Sequence, residues 1–153
     1  MSQRVAVFGA YGHTGRFVVT ELRERGFVPL PLGRDARKLA ASGLPYRVAS
    51  VEDPASLDQA LTGVDAVINC AGPFASTAAP VIEAALRAGI PYVDVAAEIE
   101  ANLDTFAHFT VRAKEAGGTV VSATCSTTGW PATSSTTCCW AASSSPWRSS
   151  AAC

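Results

Sequence analysis

Gly9, Gly12 and Gly15 stand three residues apart in the run Gly9-Ala10-Tyr11-Gly12-His13-Thr14-Gly15, a spacing that suits phosphate chemistry. The first glycine permits a tight strand-to-helix turn, the second lets a phosphate approach bare backbone, and the third lets a new helix sit close to a sheet. Free N–H groups at the start of that helix favour an anion. The same spacing also describes a glycine turn with no ligand, and the flanking residues weigh against that reading. The apolar run Val5-Ala6-Val7-Phe8 precedes the turn. Arg16–Arg25 follows it, with Val18 and Leu22 on one helical face and Glu21 four residues before Arg25. Gly9, Ala10, Tyr11, Gly12, His13, Thr14 and Gly15 are therefore candidate dinucleotide-binding residues, with His13 offering its backbone N–H rather than its ring.

A second cluster lies at Gly33-Arg34-Asp35. In NAD-selective folds an acidic residue near this place holds the ribose hydroxyls, whereas an arginine accommodates the extra phosphate of NADP. Glycine takes the strand-end place here and Arg34 follows it, which points to NADP(H), and Lys38 lies one helical turn further on. Alternatively, Arg34 and Lys38 are solvated charges and Asp35 only caps a short helix over Ala36–Ala41. A third cluster, Asp94 and Glu98, has the spacing and chemistry of an acid–base pair, or caps the next helix or faces solvent. Catalytic residues stay unassigned. Tyr11, Tyr46 and Tyr92 are followed four residues later by Gly15, Ser50 and Ala96, so there is no Tyr-x-x-x-Lys proton donor. His108 falls mid-helix as a surface residue, and serines, cysteines and histidines are too scattered for a nucleophilic triad.

These clusters require elements to position them. Phe27–Leu32 reads as a second strand despite Pro29 and Pro31, which lack ladder donors, and Gly26 as the preceding helix cap. Tyr46–Val51 is a third strand, followed by a helix to Leu61 with Asp53 as cap and Pro54 at its first position. Val64–Ala71 is nearly all apolar, as a strand covered on both faces would be, and its exit Gly72-Pro73-Phe74 lies where ligands of open α/β sheets bind. Ser76–Ala88 is helical, Ile90–Ala96 a fifth strand, Asn102–Ala116 a helix with Leu103, Phe106 and Ala113 inward, and Thr119-Val120-Val121 begins a sixth strand. This alternation predicts an α/β fold, a doubly wound parallel sheet of Rossmann type in the order 3-2-1-4-5-6.

Composition bounds the rest. The chain of 153 residues carries a net charge of −1, with no basic footprint for nucleic acid. No apolar run approaches a membrane span and no signal peptide opens the chain, so the expected setting is cytoplasmic. Cys70, Cys125, Cys138, Cys139 and Cys153 include no C-x-x-C pair, which argues against a metal site; Cys70 reads as a small buried residue.

Several motifs together resemble the saccharopine dehydrogenase-like oxidoreductases, a group that includes the trans-acting enoyl reductases. They are Gly9–Gly15, the Gly33-Arg34 strand end, Asn69-Cys70-Ala71-Gly72-Pro73-Phe74 and the run from Pro80 through Tyr92-Val93-Asp94-Val95. The resemblance covers about residues 4–121. It implies a Rossmann domain binding NADP(H), with Gly9, Gly12 and Gly15 around the pyrophosphate, Arg34 at the adenosine phosphate, and Ala71, Gly72, Pro73 and Phe74 near the nicotinamide. This sequence departs from the group at Ser50, where relatives carry an aspartate near the adenine, and at Ala97, where a glycine precedes Glu98.

From Ser122 the composition changes. Residues 122–153 hold nine Ser, six Thr, six Ala, four Cys and all three Trp, with no Leu, Ile, Val, Phe, Tyr or acidic residue. Such a stretch is either a disordered Ser/Thr-rich tail or an out-of-frame reading of a longer gene. The expected organisation is thus a dinucleotide-binding domain over residues 1–121 and a low-complexity tail over 122–153. Relatives continue into a substrate domain, so two functions compete: a truncated NADP(H)-binding domain of an oxidoreductase that transfers hydride to a small molecule, and a non-catalytic nucleotide-binding or redox-sensing module. The sheet edge near Val120 offers a place for a second copy of the chain.

Overall fold

The computed structural model describes residues 3–96 and 99–122, with side chains given throughout except at residues 99–104 and 106. Strands and helices alternate: β1 (Arg4–Phe8), α1 (His13–Glu24), β2 (Val28–Gly33), α2 (Ala36–Ala40), β3 (Arg47–Val48), α3 (Pro54–Leu61), β4 (Ala66–Asn69), α4 (Phe74–Ala88), β5 (Tyr92–Asp94), α5 (Ile99–Glu115) and β6 (Val120–Ser122). The six strands form one sheet in the order β3-β2-β1-β4-β5-β6, and every pairing is parallel. This is the predicted Rossmann topology, with the order reversing between β1 and β4.

Register sorts the side chains into two faces. Ala6, Phe8, Leu30, Leu32, Val67 and Tyr92 share the face packed by α3, α4 and α5, where Leu57, Leu61, Val81 and Ile82 complete the larger core. Each Leu, Val, Ile and Phe among them contributes about 1.5–3 kcal/mol by leaving water. Val7 faces the other way, into a smaller core with Leu39 and with Val18, Val19 and Leu22 of α1. On that second face cover thins along a row of paired residues: Val7 is fully buried, Ile68 and Val93 are half-buried, and Val121 is 46% exposed.

The prolines of β2 are reconciled by direction. Val28 N–H bonds Gln3 O and Leu32 O accepts from Gly9 N–H, whereas Gly33 O accepts from Ala49 N–H. Backbone polar groups therefore alternate, even-numbered residues turning to β1 and odd-numbered ones to β3. Pro29 and Pro31 fall on the β3 side, and β3 pairs only with Leu32 and Gly33, so no ladder bond is lost.

Three strands are shorter than the apolar runs that encode them, because side chains bond the backbone and turn it. Asn69 Oδ1 accepts from Ala71 N–H and ends β4, while Asp94 Oδ1 accepts from Ala96 N–H and ends β5. After β3, Ser50 N–H donates to Ser56 Oγ and Ser50 Oγ accepts from Glu52 N–H. The structure also starts α1 at His13 and α4 at Phe74, earlier than their periodicity suggests. Gly26, at φ +82, follows the last turn of α1, and Glu21 pairs with Arg25 at 2.6 Å.

Candidate functional site

Gly9 leaves β1 at φ +80, and its N–H bonds Leu32 O at 2.9 Å. A Cβ on Gly15 would lie 2.3 Å from Gly9 O and 2.8 Å from Ala10 Cα, so this position admits only glycine. A Cβ on Gly9 would meet Ala71 N and Cβ at 2.9 Å. The glycine turn therefore touches the exit of β4, and the two loops meet at the point where strand order reverses, the place of the ligand crevice in open α/β sheets.

Gly12 is the N-cap of α1 and supplies no side-chain acceptor. The next helices differ: Asp35 caps α2 by accepting from Arg37 and Lys38 N–H, and Asp53 caps α3 by accepting from Ala55 and Ser56 N–H. The first turn of α1 thus keeps its N–H polarity for something outside the chain. His13 turns its ring edge-on to Phe17, 5.1 Å between centroids, and Thr14 is exposed.

At the end of β2, Gly33 is buried and Arg34 exposed. Among the described residues Arg34 makes no ion pair. Asp35 caps α2, and its Oδ2 lies 3.7 Å from Lys38 Nζ. The Tyr11 ring leans from the glycine turn over Gly33, with the Lys38 ammonium 5.5 Å from its centroid. Ser50 is occupied in its own turn.

The second wall is Ala71–Phe74. Gly72 precedes a cis peptide to Pro73, and a Cβ on Gly72 would meet nothing within 4 Å. A buried chain of hydrogen bonds fixes this loop. Ser122 Oγ donates to Asp94 Oδ1 at 2.9 Å, and Tyr92 OH donates to Asp94 Oδ2 at 3.0 Å. Asn69 Nδ2 donates to Tyr92 OH at 3.2 Å and to Thr77 Oγ1 at 3.4 Å, and Thr77 Oγ1 donates to the carbonyls of Ala71 and Pro73. Asn69, Asp94 and Ser122 lie in register across β4, β5 and β6. Burial, then the Asp94 charge, holds the Tyr92 phenol far above its ordinary range, so it remains a donor.

Asp94 differs from its expected place. It does not face solvent: it is 1% exposed, and among the described residues its carboxylate accepts three hydrogen bonds. Its partners were hidden from local reading, because Ser122 is 28 residues away; the available signal was the shared register of three polar strand ends. Ala97, Glu98 and the tail beyond Ser122 lie outside the described residues, as do the side chains of Leu103 and Phe106. Ala113 is buried and His108 exposed. Cys70, which follows β4, is half-buried rather than fully buried, and burial pushes its thiol up to about 11. Among the described residues, no group of three or more His, Cys, Asp or Glu could hold a metal, and no helix is long and apolar enough to cross a membrane.

The residues present fit a dinucleotide: the start of α1 lacks a side-chain acceptor, the glycines pack to bare backbone, and cations stand at the end of β2. Comparison with known proteins agrees. The chain is 30% identical to a saccharopine dehydrogenase-like oxidoreductase of Arabidopsis thaliana over 141 residues, covering 78% of this chain and 31% of the relative. It is 32% identical to the saccharopine dehydrogenase-like oxidoreductase of Bos taurus over 117 residues, covering 61% and 27%. It therefore spans about a third or less of the length of these relatives. Its fold matches saccharopine dehydrogenase (L-Glu forming) from Saccharomyces cerevisiae with a TM-score of 0.67 at 21% identity, covering 79% of this chain and 27% of that one. The model of a family described as NAD(P)H-binding matches residues 9–121. With crevice, glycine turn and match coinciding, the chain belongs to the NAD(P)H-binding family, and over that domain it is similar to the saccharopine dehydrogenase-like oxidoreductases.

Proposed function

We propose that the chain is the cofactor domain of an oxidoreductase that prefers NADP(H) to NAD(H). The observation that carries this reading is the open start of α1 at the β1–β4 reversal, with a glycine and Arg34, rather than an acidic side chain, at the end of β2. In it, Gly9, Ala10, Tyr11, Gly12, His13, Thr14 and Gly15 form the pyrophosphate turn. Their backbone N–H groups and the α1 dipole offset the phosphate charge. Arg34 and Lys38 oppose the 2′-phosphate, and Ala71, Gly72, Pro73 and Phe74 flank the nicotinamide.

When bound, the reduced nicotinamide supplies a hydride, an electron pair with its proton, to an electrophilic carbon of a carbonyl or enoyl acceptor. This chain's part is binding and orientation. Asn69 and Thr77 hold the Ala71–Phe74 loop in place from beneath. Asp94 and Tyr92 are committed to that support, which favours a proton source other than these two groups. The same commitment supports a second reading, a nucleotide-binding module without turnover.

The test is fluorescence titration with NADPH and NADH, followed by NADPH oxidation assays with carbonyl and enoyl acceptors. Tighter NADPH binding is expected, by roughly tenfold or more, which is about 1.4 kcal/mol. Equal affinity overturns the NADP preference, and absence of binding overturns the cofactor reading. Binding without turnover of any acceptor selects the non-catalytic module.

A further inference from the structure

Tyr11 sits in the glycine turn by its backbone, but its side chain serves another part of the molecule. An ideal Cβ built on Gly33 would lie 2.6 Å from Tyr11 Cε1 and 3.4 Å from both Cδ1 and Cζ. Any side chain at position 33 would therefore overlap the edge of the Tyr11 ring unless the ring moved. The ring is half-buried and packs against the small core containing Val7, Ala10 and Leu39. Its other neighbour is the Lys38 ammonium, 5.5 Å from the ring centroid, a distance at which the ring face attracts a cation. One aromatic side chain thus bears on both features of the strand end that differ between NAD and NADP sites: the residue closing β2 and the cation beyond it.

We propose that Tyr11 is a specificity-determining residue, its ring filling the place an acidic side chain would take at the end of β2, so that position 33 offers the ribose no carboxylate. The inference rests on the NADP reading above and adds its physical cause. Selectivity then comes from exclusion as much as attraction. A carboxylate at position 33 would accept the free ribose hydroxyls of NAD and repel a 2′-phosphate; the ring leaves it no room. The ring also holds the Lys38 ammonium near the strand end, beside the Asp35 carboxylate at 3.7 Å.

The experiment is a cycle of four proteins: the unaltered chain, Gly33→Asp, Tyr11→Ala and the double variant, each titrated with NADPH and NADH. Gly33→Asp alone should weaken both cofactors, NADPH by charge and NADH because the ring obstructs the carboxylate. The double variant should bind NADH roughly tenfold or more tighter than Gly33→Asp does and should prefer it over NADPH. If Gly33→Asp alone binds NADH as tightly as the double variant, Tyr11 does not gate the position and the proposal falls.

Gly33→Ala supplies a readout independent of cofactor. It should lower the melting temperature of the chain, and lower it less when Tyr11 is already alanine. Equal loss in both backgrounds overturns the role of Tyr11. An unaltered chain that binds NADPH and NADH equally instead overturns the NADP reading itself, so the two failures are distinguishable.

Discussion

Among the described residues, four helix starts at the ligand edge of the sheet fall into two pairs. Flanking β2 and β3, α2 and α3 begin on Asp35 and Asp53, each accepting two backbone N–H groups of the first turn. At the centre, α1 and α4 begin on Gly12 and Pro73, with no side-chain cap. The outer pair is closed by the chain's own anions, whereas Gly12 and Pro73 offer no side-chain acceptor to the turns they begin. A helix start without a side-chain acceptor costs stability, so the placement of the α1 start at the β1–β4 reversal distinguishes a site from a scaffold. The two inner starts are also held differently: α1 by close backbone packing around Gly9 and Gly15, α4 by the hydrogen-bonded side chains beneath it.

Closing an open start should break the comparison most sharply. Gly12 has φ −68 and ψ 169, a conformation that suits a capping aspartate. Gly12→Asp, whose Cβ would meet Gly9 O at 3.2 Å, is expected to shift the melting temperature little, the new cap offsetting that tight contact, yet to weaken NADPH by roughly 1,000-fold. A carboxylate about 4 Å from a phosphate charge costs about 4 kcal/mol at an effective dielectric near 20. Calorimetry and titration of one variant check both halves.

Removing the support of α4 should come next. Asp94→Ala leaves Tyr92 OH, Ser122 Oγ and Ala96 N–H without their buried acceptor. We expect a loss of about 3 kcal/mol in urea unfolding. NADPH should weaken while 2′,5′-ADP, which lacks the nicotinamide half, binds nearly as before. Equal weakening of both ligands would mean that the network supports the whole crevice rather than its β4 side.

Opening a closed start is the converse. Asp53→Ala should cost about 1 kcal/mol and leave NADPH affinity untouched, since α3 lies away from the crevice. The smallest effect concerns pH. The Cys70 thiol titrates near 9 when unfolded and about 11 when folded, so the unfolded chain releases its proton first. Stability is fully present below about pH 9 and declines as pH rises toward 11. Cys70→Ala should flatten that decline in urea melts taken across the range.

Local chemistry made much of this legible. Glycine spacing, the Asp53-Pro54 start and apolar runs of the right length led to the strand order without any long-range information. Strand ends were less readable, because Asn69, Ser50 and Asp94 stop β-structure by bonding backbone two residues on, or further, a choice that competes with the ladder and leaves no mark on apolar patterning. Asp94 itself looked like an exposed acid for the same reason. Its burial depends on Tyr92, two residues before it on the same face, and on Ser122, which only the pairing of β5 with β6 brings near. The contact of Tyr11 with Gly33 was equally hidden, since it joins two loops 22 residues apart.

The prolines of β2 have a further consequence. Beyond the two residues paired with β3, the outer margin of β2 is a strand edge of the kind that templates addition of foreign strands. Pro29 and Pro31 turn toward that margin and carry no N–H. A strand arriving from another molecule would find carbonyl acceptors there but no donors from these positions, and a cross-β ladder could not propagate along this side of the sheet. Protection against aggregation is thus written into the second strand by the residues that made it look least like one.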